Sequence, residues 1–232
     1  MNEIFITDAC ALFADKLTPD DKIVKGSRFY FGNIEKGFEP INDPKFDLRC
    51  NRVLKYLVDQ LDLTEFKKDE IGIVIGTTNS GIEEFETTEN KHHAELGNPA
   101  EFLKWYLGTT NYAASVSTAC TSGIKAFSTA VKLLENNVCK AVITGGIDTI
   151  ARMPTYGFHA LEVLSHEKTN PFSKNRRGIS IGEGGALFLL TKNSGDVKIL
   201  GIGETSDAYH SATPDPEGTQ AVKAIQTALD EA

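Results

Sequence analysis

The segment "STACTSG", residues 117–123, places Cys120 among small hydroxyl residues, after an apolar run and before a helical pattern. A thiol at the start of a helix faces unpaired backbone N–H groups and the positive end of the helix dipole, which favours the thiolate. The same N–H groups can bind the negative charge that develops on a carbonyl oxygen under attack. This arrangement predicts a nucleophilic cysteine for acyl transfer, with the Cys120 N–H in the oxyanion hole.

The other cysteines fit a different role. Cys10, Cys50 and Cys139 lie far apart, without a C-x-x-C pair or a histidine spacing typical of zinc sites. Cysteine most often acts as a small buried hydrophobe, and we interpret these three in that way. For Cys120 the buried role remains an alternative on position alone. No metal and no cofactor are predicted.

The elements that must position Cys120 follow an α/β order. β-Branched runs ended by glycine at 71–76 and 141–146 are typical of strands buried on both faces of a sheet, and 113–118 follows the same pattern more weakly. Apolar residues at intervals of three and four predict a helix over 121–137, between two of these strands. A second apolar stripe at helical spacing comprises Leu54, Leu57, Val58 and Leu61.

The remaining pattern predicts two strands, two loops and a last helix. "GALFLLTK" and "VKILGIGET" indicate successive strands, and a helix follows Pro216. Residues 33–48 and 205–216 are rich in Gly, Pro, Asn and Asp, so both predict surface loops that could carry a site. The fold class is α/β, a mixed sheet with helices on its faces.

Composition narrows the classes of partner. The 232 residues carry a net charge of −8, which argues against nucleic acid as a general partner. No apolar run approaches the roughly 20 residues that span a bilayer, so no membrane association is expected. The N-terminus "MNEIFITDAC" has no secretory signal pattern, which predicts a cytoplasmic protein with reduced thiols.

Five ordered segments give the chain a specific resemblance: "STACTSG", "AVITGGID", "GFHALEVLS", "NPFSKNRRGISIGEGGALFLL" and "SDAYHSATPDPEG". In this order the chain resembles the N-terminal half of a β-ketoacyl-acyl-carrier-protein synthase, closely over 70–232 and loosely before residue 70. The resemblance implies a thiolase-like fold, with residues 1–232 as the N-terminal synthase domain. It also implies that Cys120 accepts an acyl chain from acyl-carrier protein before decarboxylative condensation with a malonyl thioester.

The same resemblance implies further site residues and partners. Phe158 matches a phenylalanine that lines the acyl pocket, although a core aromatic is an equally good interpretation of a single Phe. Arg49, Arg52 and Lys55 would form a basic helix face that docks acyl-carrier protein, the alternative being a solvated face. Strand 113–118 would pair with its symmetry mate in a homodimer.

The chain also departs from the family pattern. The family's two catalytic histidines, a lysine and a phenylalanine-bearing loop have no counterpart here, so we expect an N-terminal fragment that is acylated but does not condense. His92 and His93 are expected at the surface, His159 and His166 in packed or solvent-facing positions, and His210 in a supporting role.

Ser173 and Arg177 stand where many members carry aspartate, and the surrounding sequence is closer to the aryl-polyene-type subgroup. Two other classes of function stay open. One is a non-catalytic module that binds carrier protein or dimerises, and the other is a thiolase-like or thioester-hydrolysing enzyme.

Overall fold

The structure is a computed structural model that describes residues 3–210 and 213–232. Its strands are β1 Ile4–Phe13, β2 Thr18–Asp20, β3 Phe29–Gly32, β4 Ile71–Gly76, β5 Ala113–Val116, β6 Ala141–Asp148, β7 Ile181–Gly182, β8 Gly184–Thr191 and β9 Val197–Ile199. Its helices are α1 Arg49–Val58, α2 Ile82–Thr88, α3 Asn98–Leu107, α4 Ser122–Glu135, α5 Arg152–Ala160 and α6 Thr219–Glu231.

The main sheet is mixed and has six strands in the order β5-β4-β6-β8-β1-β9. β4 lies parallel to both β5 and β6, whereas β8 runs antiparallel to β6 and to β1. All six residues of β4 are buried, because helices cover both faces of the sheet at this point. The carboxyl ends of β4, β5 and β6 therefore meet along one edge of the molecule.

The two faces of the sheet bury different helices. Ile73 and Ile75 of β4 point into a cluster that includes α1 and α3, with Leu54 and Phe102 at 0% exposure. Val74, on the opposite face, packs against α4 in a second cluster. This alternation follows from the two-residue period of a strand, and it fixes α4 on the face opposite α1.

A smaller three-stranded sheet, in the order β2-β3-β7, lies beside the main one. Its apolar side forms a third cluster of buried residues, Val24, Phe29, Phe31, Ile150 and Leu164. The segment 149–180 joins β6 to this sheet through α5 and a long loop.

Most predicted elements are confirmed. The strands at 71–76, 113–116 and 141–148 and the helix at 122–135 lie within a few residues of their predicted bounds. The strand predicted in "VKILGIGET" is only Val197–Ile199, and two residues of the predicted loop 205–216, Ser211 and Ala212, lie outside the described residues.

Three features differ from expectation. β1, ten residues long, was not predicted, because its alternating pattern includes polar and small residues. Residues 33–48 contain no helix or strand, but they are not a plain surface loop: Ile34, Ile41, Phe46 and Leu48 enter the core. His93, expected at the surface, is 7% exposed.

In the described part of the chain, no helix is long and apolar enough to cross a membrane.

Candidate active site

Cys120 lies exposed in the tight turn between β5 and α4. β5 ends at Val116 and α4 begins at Ser122, with Thr121 as its N-cap. Ala119 has a φ of 54°, in the left-handed region that non-glycine residues rarely occupy. The turn therefore holds a strained backbone beside the thiol, as sharp strand-to-helix turns at functional sites often do.

Side-chain hydroxyls hold the turn in this shape. Ser122 Oγ accepts the Thr118 N–H at 2.9 Å and donates to the Ala119 carbonyl at 2.6 Å. Thr121 Oγ1 donates to the Thr118 carbonyl at 2.8 Å. The small hydroxyl residues around Cys120 thus supply the hydrogen bonds that fold the turn on itself, a role that their types alone did not reveal.

Glycines bring this turn against the sheet. A Cβ atom added at Gly76, the last residue of β4, would lie 2.5 Å from the backbone of Ser122. A Cβ atom at Gly146 of β6 would lie 3.6 Å from the Cα of Gly123. The start of α4 can approach the carboxyl end of β4 only because Gly76 has no side chain, whereas the distance at Gly146 is an ordinary contact.

The position of Cys120 relative to α4 needs one correction. The sequence predicted that Cys120 opens the helix, whereas the helix begins two residues later and Cys120 precedes its N-cap. The strand before it is partly exposed rather than buried, since β5 forms one edge of the main sheet. Cys120 is thus more exposed than the buried-strand pattern implied, which suits a residue that must meet a substrate.

A cleft of about 710 Å³ begins at the Cys120 turn. Thr118 and Thr121 of the turn line one side together with Ile124 and Lys125 of α4, and the segment 203–207 lines the other. Lys125 Nζ pairs with Glu204 across the cleft at 2.8 Å. Its volume lies in the range of small-molecule sites. Cys120 itself does not line the cleft, but its neighbours Thr118 and Thr121 do, so the cleft lies next to the turn that carries the thiol.

Phe158 lies apart from this cleft. It is half-buried on α5 and packs against the cluster of Phe29, Phe31 and Leu164 beside the small sheet. The lining of the cleft does not include Phe158. The geometry favours the core interpretation of this aromatic, and its role in an acyl pocket stays a prediction.

The three cations predicted to form a basic docking face are paired with carboxylates of the same chain. Arg49 Nε donates to Glu183 Oε2 at 2.8 Å, and its Nη2 donates to Glu183 Oε1 and to the Ile34 carbonyl. The Glu183 side chain is 2% exposed, so this pair ties α1 to the start of β8. This pair gives Arg49 a structural role, and its part in docking stays a prediction.

The other two cations of α1 are also neutralised locally. Arg52 pairs with Asp47 at 2.7 Å, and Lys55 pairs with Asp59 at 3.0 Å. Exposed pairs of this kind contribute little to stability, but each carboxylate cancels most of the charge that its cation would offer a partner. Docking on this face of α1 stays a prediction, with less free charge behind it than the sequence suggested.

Sequence reasoning missed the carboxylates of α2, which stabilise two other helices. Glu84 accepts the backbone N–H of Arg49 at the start of α1, where Leu48 offers no side-chain cap. Glu86 accepts the N–H groups of Arg152 and Met153, at 2.9 and 2.6 Å, at the start of α5. Unpaired N–H groups at a helix start favour carboxylates, but these caps come from distant sequence, so local patterns do not reveal them.

Glu83, the third carboxylate of α2, has an unusual protonation. Burial and, to a smaller extent, the neighbouring Glu84 raise the pKa of Glu83 from its ordinary 4.5 to about 7, against the opposing effect of Arg49. The group therefore changes its charge near neutral pH, inside a cluster that also holds the Arg49–Glu183 pair.

Asp148, at the end of β6, organises the loop after β4. Its Oδ1 accepts the Thr77 hydroxyl at 2.9 Å and the N–H groups of Thr78 and Asn79 at 2.8 and 3.0 Å. The segment "AVITGGID" was noted for its resemblance, and the structure gives its terminal aspartate a physical role at the same edge as the Cys120 turn.

None of the contacts of His92, His93, His159 and His166 involves Cys120. His92 pairs with Glu95 at 2.7 Å, and His93 Nδ1 lies 3.0 Å from the Thr88 hydroxyl. His159 and His166 both pack on Phe29, as expected for packed or solvent-facing residues. Within residues 3–210 and 213–232, no group of three His, Cys, Asp or Glu side chains is arranged to hold a metal ion.

Known proteins with similar sequences identify the family of this chain. The family model for the N-terminal domain of β-ketoacyl synthases matches residues 55–195, more than half of the chain. The 3-oxoacyl-[acyl-carrier-protein] synthase 2 of Staphylococcus aureus is 31% identical over 203 residues, which cover 75% of this chain and 50% of that protein. The chain thus spans about half the length of the curated relatives it matches.

Solved structures agree with the family model. A ketosynthase from Xenorhabdus doucetiae, in complex with its chain length factor, aligns with a TM-score of 0.91 at 30% identity, covering 100% of this chain and 68% of that one. A type II polyketide ketosynthase solved with its acyl-carrier protein aligns with a TM-score of 0.79 at 15% identity, covering 99% and 69%. The latter likeness shows the fold alone. By family model, relatives and architecture, the chain belongs to the β-ketoacyl synthase family and has its thiolase-like fold.

Proposed function

We propose that residues 1–232 form the N-terminal domain of a β-ketoacyl-acyl-carrier-protein synthase and that Cys120 carries the acyl group. The observation that carries this proposal is the exposed thiol of Cys120 on a strained turn, beside a cleft of about 710 Å³. Family membership supports the same role, because "STACTSG" is the segment in which the chain resembles the nucleophile region of the family.

The acylation step is a thiol–thioester exchange. The Cys120 thiolate attacks the thioester carbonyl, and the carbonyl oxygen takes up negative charge in the tetrahedral intermediate. The Cys120 N–H stabilises that charge, since the N–H groups of Thr118, Thr121 and Ser122 already donate within the turn. Collapse of the intermediate breaks the bond to the departing thiol, which leaves as a thiolate and takes up the proton released by Cys120.

The second step is condensation. Malonyl-acyl-carrier protein loses carbon dioxide, and the resulting carbanion attacks the Cys120 thioester to give the β-ketoacyl product and free Cys120. The resemblance assigns the decarboxylation to histidines and a lysine of the family that have no counterpart in residues 1–232.

The proposed partners follow from the same family. Acyl-carrier protein would deliver both thioesters, as the carrier protein solved with one structural neighbour suggests. A homodimer would form along β5, which is an edge strand of the main sheet. The neighbour solved with a chain length factor raises a paired subunit of that kind as the alternative to a second copy.

The first test uses a small acyl thioester that needs no carrier protein, such as octanoyl-N-acetylcysteamine. After incubation near neutral pH, intact mass and peptide mapping should show one added acyl group, on Cys120, and none on Cys10, Cys50 or Cys139. Cys120→Ala should abolish the adduct, and Cys10→Ala, at a partly exposed cysteine, is the matched control. Equal labelling of several cysteines, or no adduct, would contradict acyl transfer and favour a non-catalytic module.

A further inference from the structure

β6 extends past the end of β4, and this brings Asp148 beside the chain that leaves β4. Gly146 of β6 pairs with Gly76, the last residue of β4, so the final two residues of β6 lie beyond that strand. On its other side Gly76 pairs with Val116, the last residue of β5. Asp148 therefore lies where the carboxyl ends of three parallel strands meet, and the Cys120 turn follows the third of them.

One carboxylate oxygen of Asp148 binds three donors from the loop after β4. Its Oδ1 accepts the Thr77 hydroxyl at 2.9 Å and the N–H groups of Thr78 and Asn79 at 2.8 and 3.0 Å. Successive backbone N–H groups that converge in this way bind anions, and bonds to an ionised acceptor are stronger than bonds between neutral groups. The Thr77 hydroxyl also accepts the Ser80 N–H at 2.8 Å, and both of these residues are fully buried. Asp148 thus fixes the conformation of this loop.

Two contacts connect the same loop to the Cys120 turn. The Thr77 N–H donates to the Val116 carbonyl at 3.1 Å, and Val116 is the last strand residue before the turn. Gly76, next to Thr77, lies so close to the Ser122 backbone that an added Cβ atom would be 2.5 Å from it, and α4 begins at Ser122. Both ends of the turn are therefore held by two consecutive residues, the second of which is bound by the carboxylate of β6.

We propose that Asp148 is a positioning residue for acyl transfer, which acts through Thr77 to fix the backbone of the Cys120 turn and the direction of the Cys120 N–H. This role rests on the function proposed above, in which that N–H stabilises the charge on the attacked carbonyl oxygen. Such stabilisation requires a donor whose direction is set before the reaction, and a displacement of about 1 Å costs about a hundredfold in rate. Asp148 does not meet the substrate in this role, because its oxygen is bound to the loop.

The kinetic test compares Asp148→Ala with Asp62→Ala. Asp62 is the matched control, because its Oδ1 also accepts an N–H and a hydroxyl, both of Thr64, at 3.0 and 2.6 Å, but before β4 rather than after it. With octanoyl-N-acetylcysteamine, Asp148→Ala should lower the maximal rate constant of Cys120 acylation about tenfold or more, and Asp62→Ala should change it less than about twofold.

Alkylation of Cys120 by iodoacetamide separates positioning from access to the thiol. This reaction forms no oxyanion and needs no N–H donor, so its rate should change less than about threefold in both variants. Peptide mapping restricts both measurements to Cys120. Equal slowing of acylation and alkylation by Asp148→Ala, or no slowing of acylation, would overturn the proposal.

Milder variants keep the test valid where Asp148→Ala does not fold. Asp148→Asn retains an oxygen acceptor for the three donors, so it should acylate within about threefold of the wild-type rate. Thr77→Val fills the same space without the hydroxyl that Asp148 binds and should slow acylation about fivefold, whereas Thr77→Ser keeps the hydroxyl and the rate. Equal rates for Thr77→Val and Thr77→Ser would contradict the link from Asp148 to the turn.

Hydrogen–deuterium exchange measures the order of the turn without any substrate. The peptide that covers 117–123 contains the N–H groups that donate within the turn, and it should exchange about fivefold or more faster in Asp148→Ala than in the wild type or Asp62→Ala. Faster exchange in Asp148→Ala, together with a wild type that is never acylated, would refute the acyltransferase alone. Normal acylation of the wild type, with unchanged exchange and acylation in Asp148→Ala, would refute the positioning role alone.

Discussion

At the residue scale, the sequence revealed Cys120 but not the geometry that presents it. The residue types around it, small and uncharged, were visible in "STACTSG". The left-handed backbone of Ala119 was not, because alanine has no preference for that region and only the surrounding hydrogen bonds enforce it. The same limit applies to Arg49, whose partner Glu183 lies 134 positions away.

Glu83 gives a prediction about pH at this scale. Its pKa is about 7 in the folded protein against an ordinary 4.5, so between these values the folded state holds a proton that the unfolded state has lost. The stability that Glu83 contributes is therefore complete below about pH 4.5 and is lost as the pH rises through 7. Glu83→Gln should be more stable than the wild type above pH 7, by about 1–2 kcal/mol after allowance for partial exposure.

The measurement is urea unfolding of both proteins from acid to slightly alkaline pH. The difference in the free energy of unfolding between Glu83→Gln and the wild type should grow from acid pH to pH 7 and then level off. Other groups that titrate in this range are common to both proteins and cancel in the difference. A difference that does not vary with pH would show that Glu83 has its ordinary pKa.

At the element scale, what the sequence predicted depended on how fully an element is buried. β4 and β6 were predicted because strands covered on both faces consist of uninterrupted apolar residues. β1 was not predicted, because three of its four exposed positions carry Thr7, Ala9 and Ala11, which weaken the alternating strand pattern. The buried residues of 33–48 were not predicted, because an irregular segment has no repeating apolar pattern.

The contact between α4 and β4 leads to a prediction about the position of α4. Gly76→Ala places a methyl group 2.5 Å from the Ser122 backbone, so α4 must move away from the sheet. Overpacking of this kind costs about 1–3 kcal/mol, and the shift should also slow acylation of Cys120 by the small thioester. Both effects are measured on one sample, by chemical unfolding and by the rate of acyl-adduct formation.

Gly123→Ala is the matched control. A Cβ atom at Gly123 has no heavy atom within 4 Å, and alanine is the better residue within a helix. This variant should keep or raise stability by up to about 1 kcal/mol. If both variants behaved alike, the close approach at Gly76 would not be what sets the position of the turn.

At the scale of the whole molecule, the main sheet ends in a strand that the fold leaves at its edge. β5 pairs with β4 on one side, and it forms the end of the strand order on the other. Edge strands expose backbone groups that can pair with another chain. The sequence predicted this strand and its use in a dimer from the family resemblance, whereas its exposure could be learned only from the strand order.

The proposed homodimer is testable at β5. The carbonyls of Tyr112 and Val116 point towards β4, where each accepts a backbone N–H from β4 or from the residue that follows it. Backbone groups along a strand point alternately to its two sides. The N–H of Ala113 therefore points away from β4, towards the open edge of the sheet. Ala113→Pro removes that donor without breaking a bond to β4. If β5 pairs with a second copy, the wild type should sediment as a dimer and Ala113→Pro as a monomer, with the same far-ultraviolet circular dichroism. A wild type that is monomeric at every concentration would refute the homodimer and favour a different subunit at this edge.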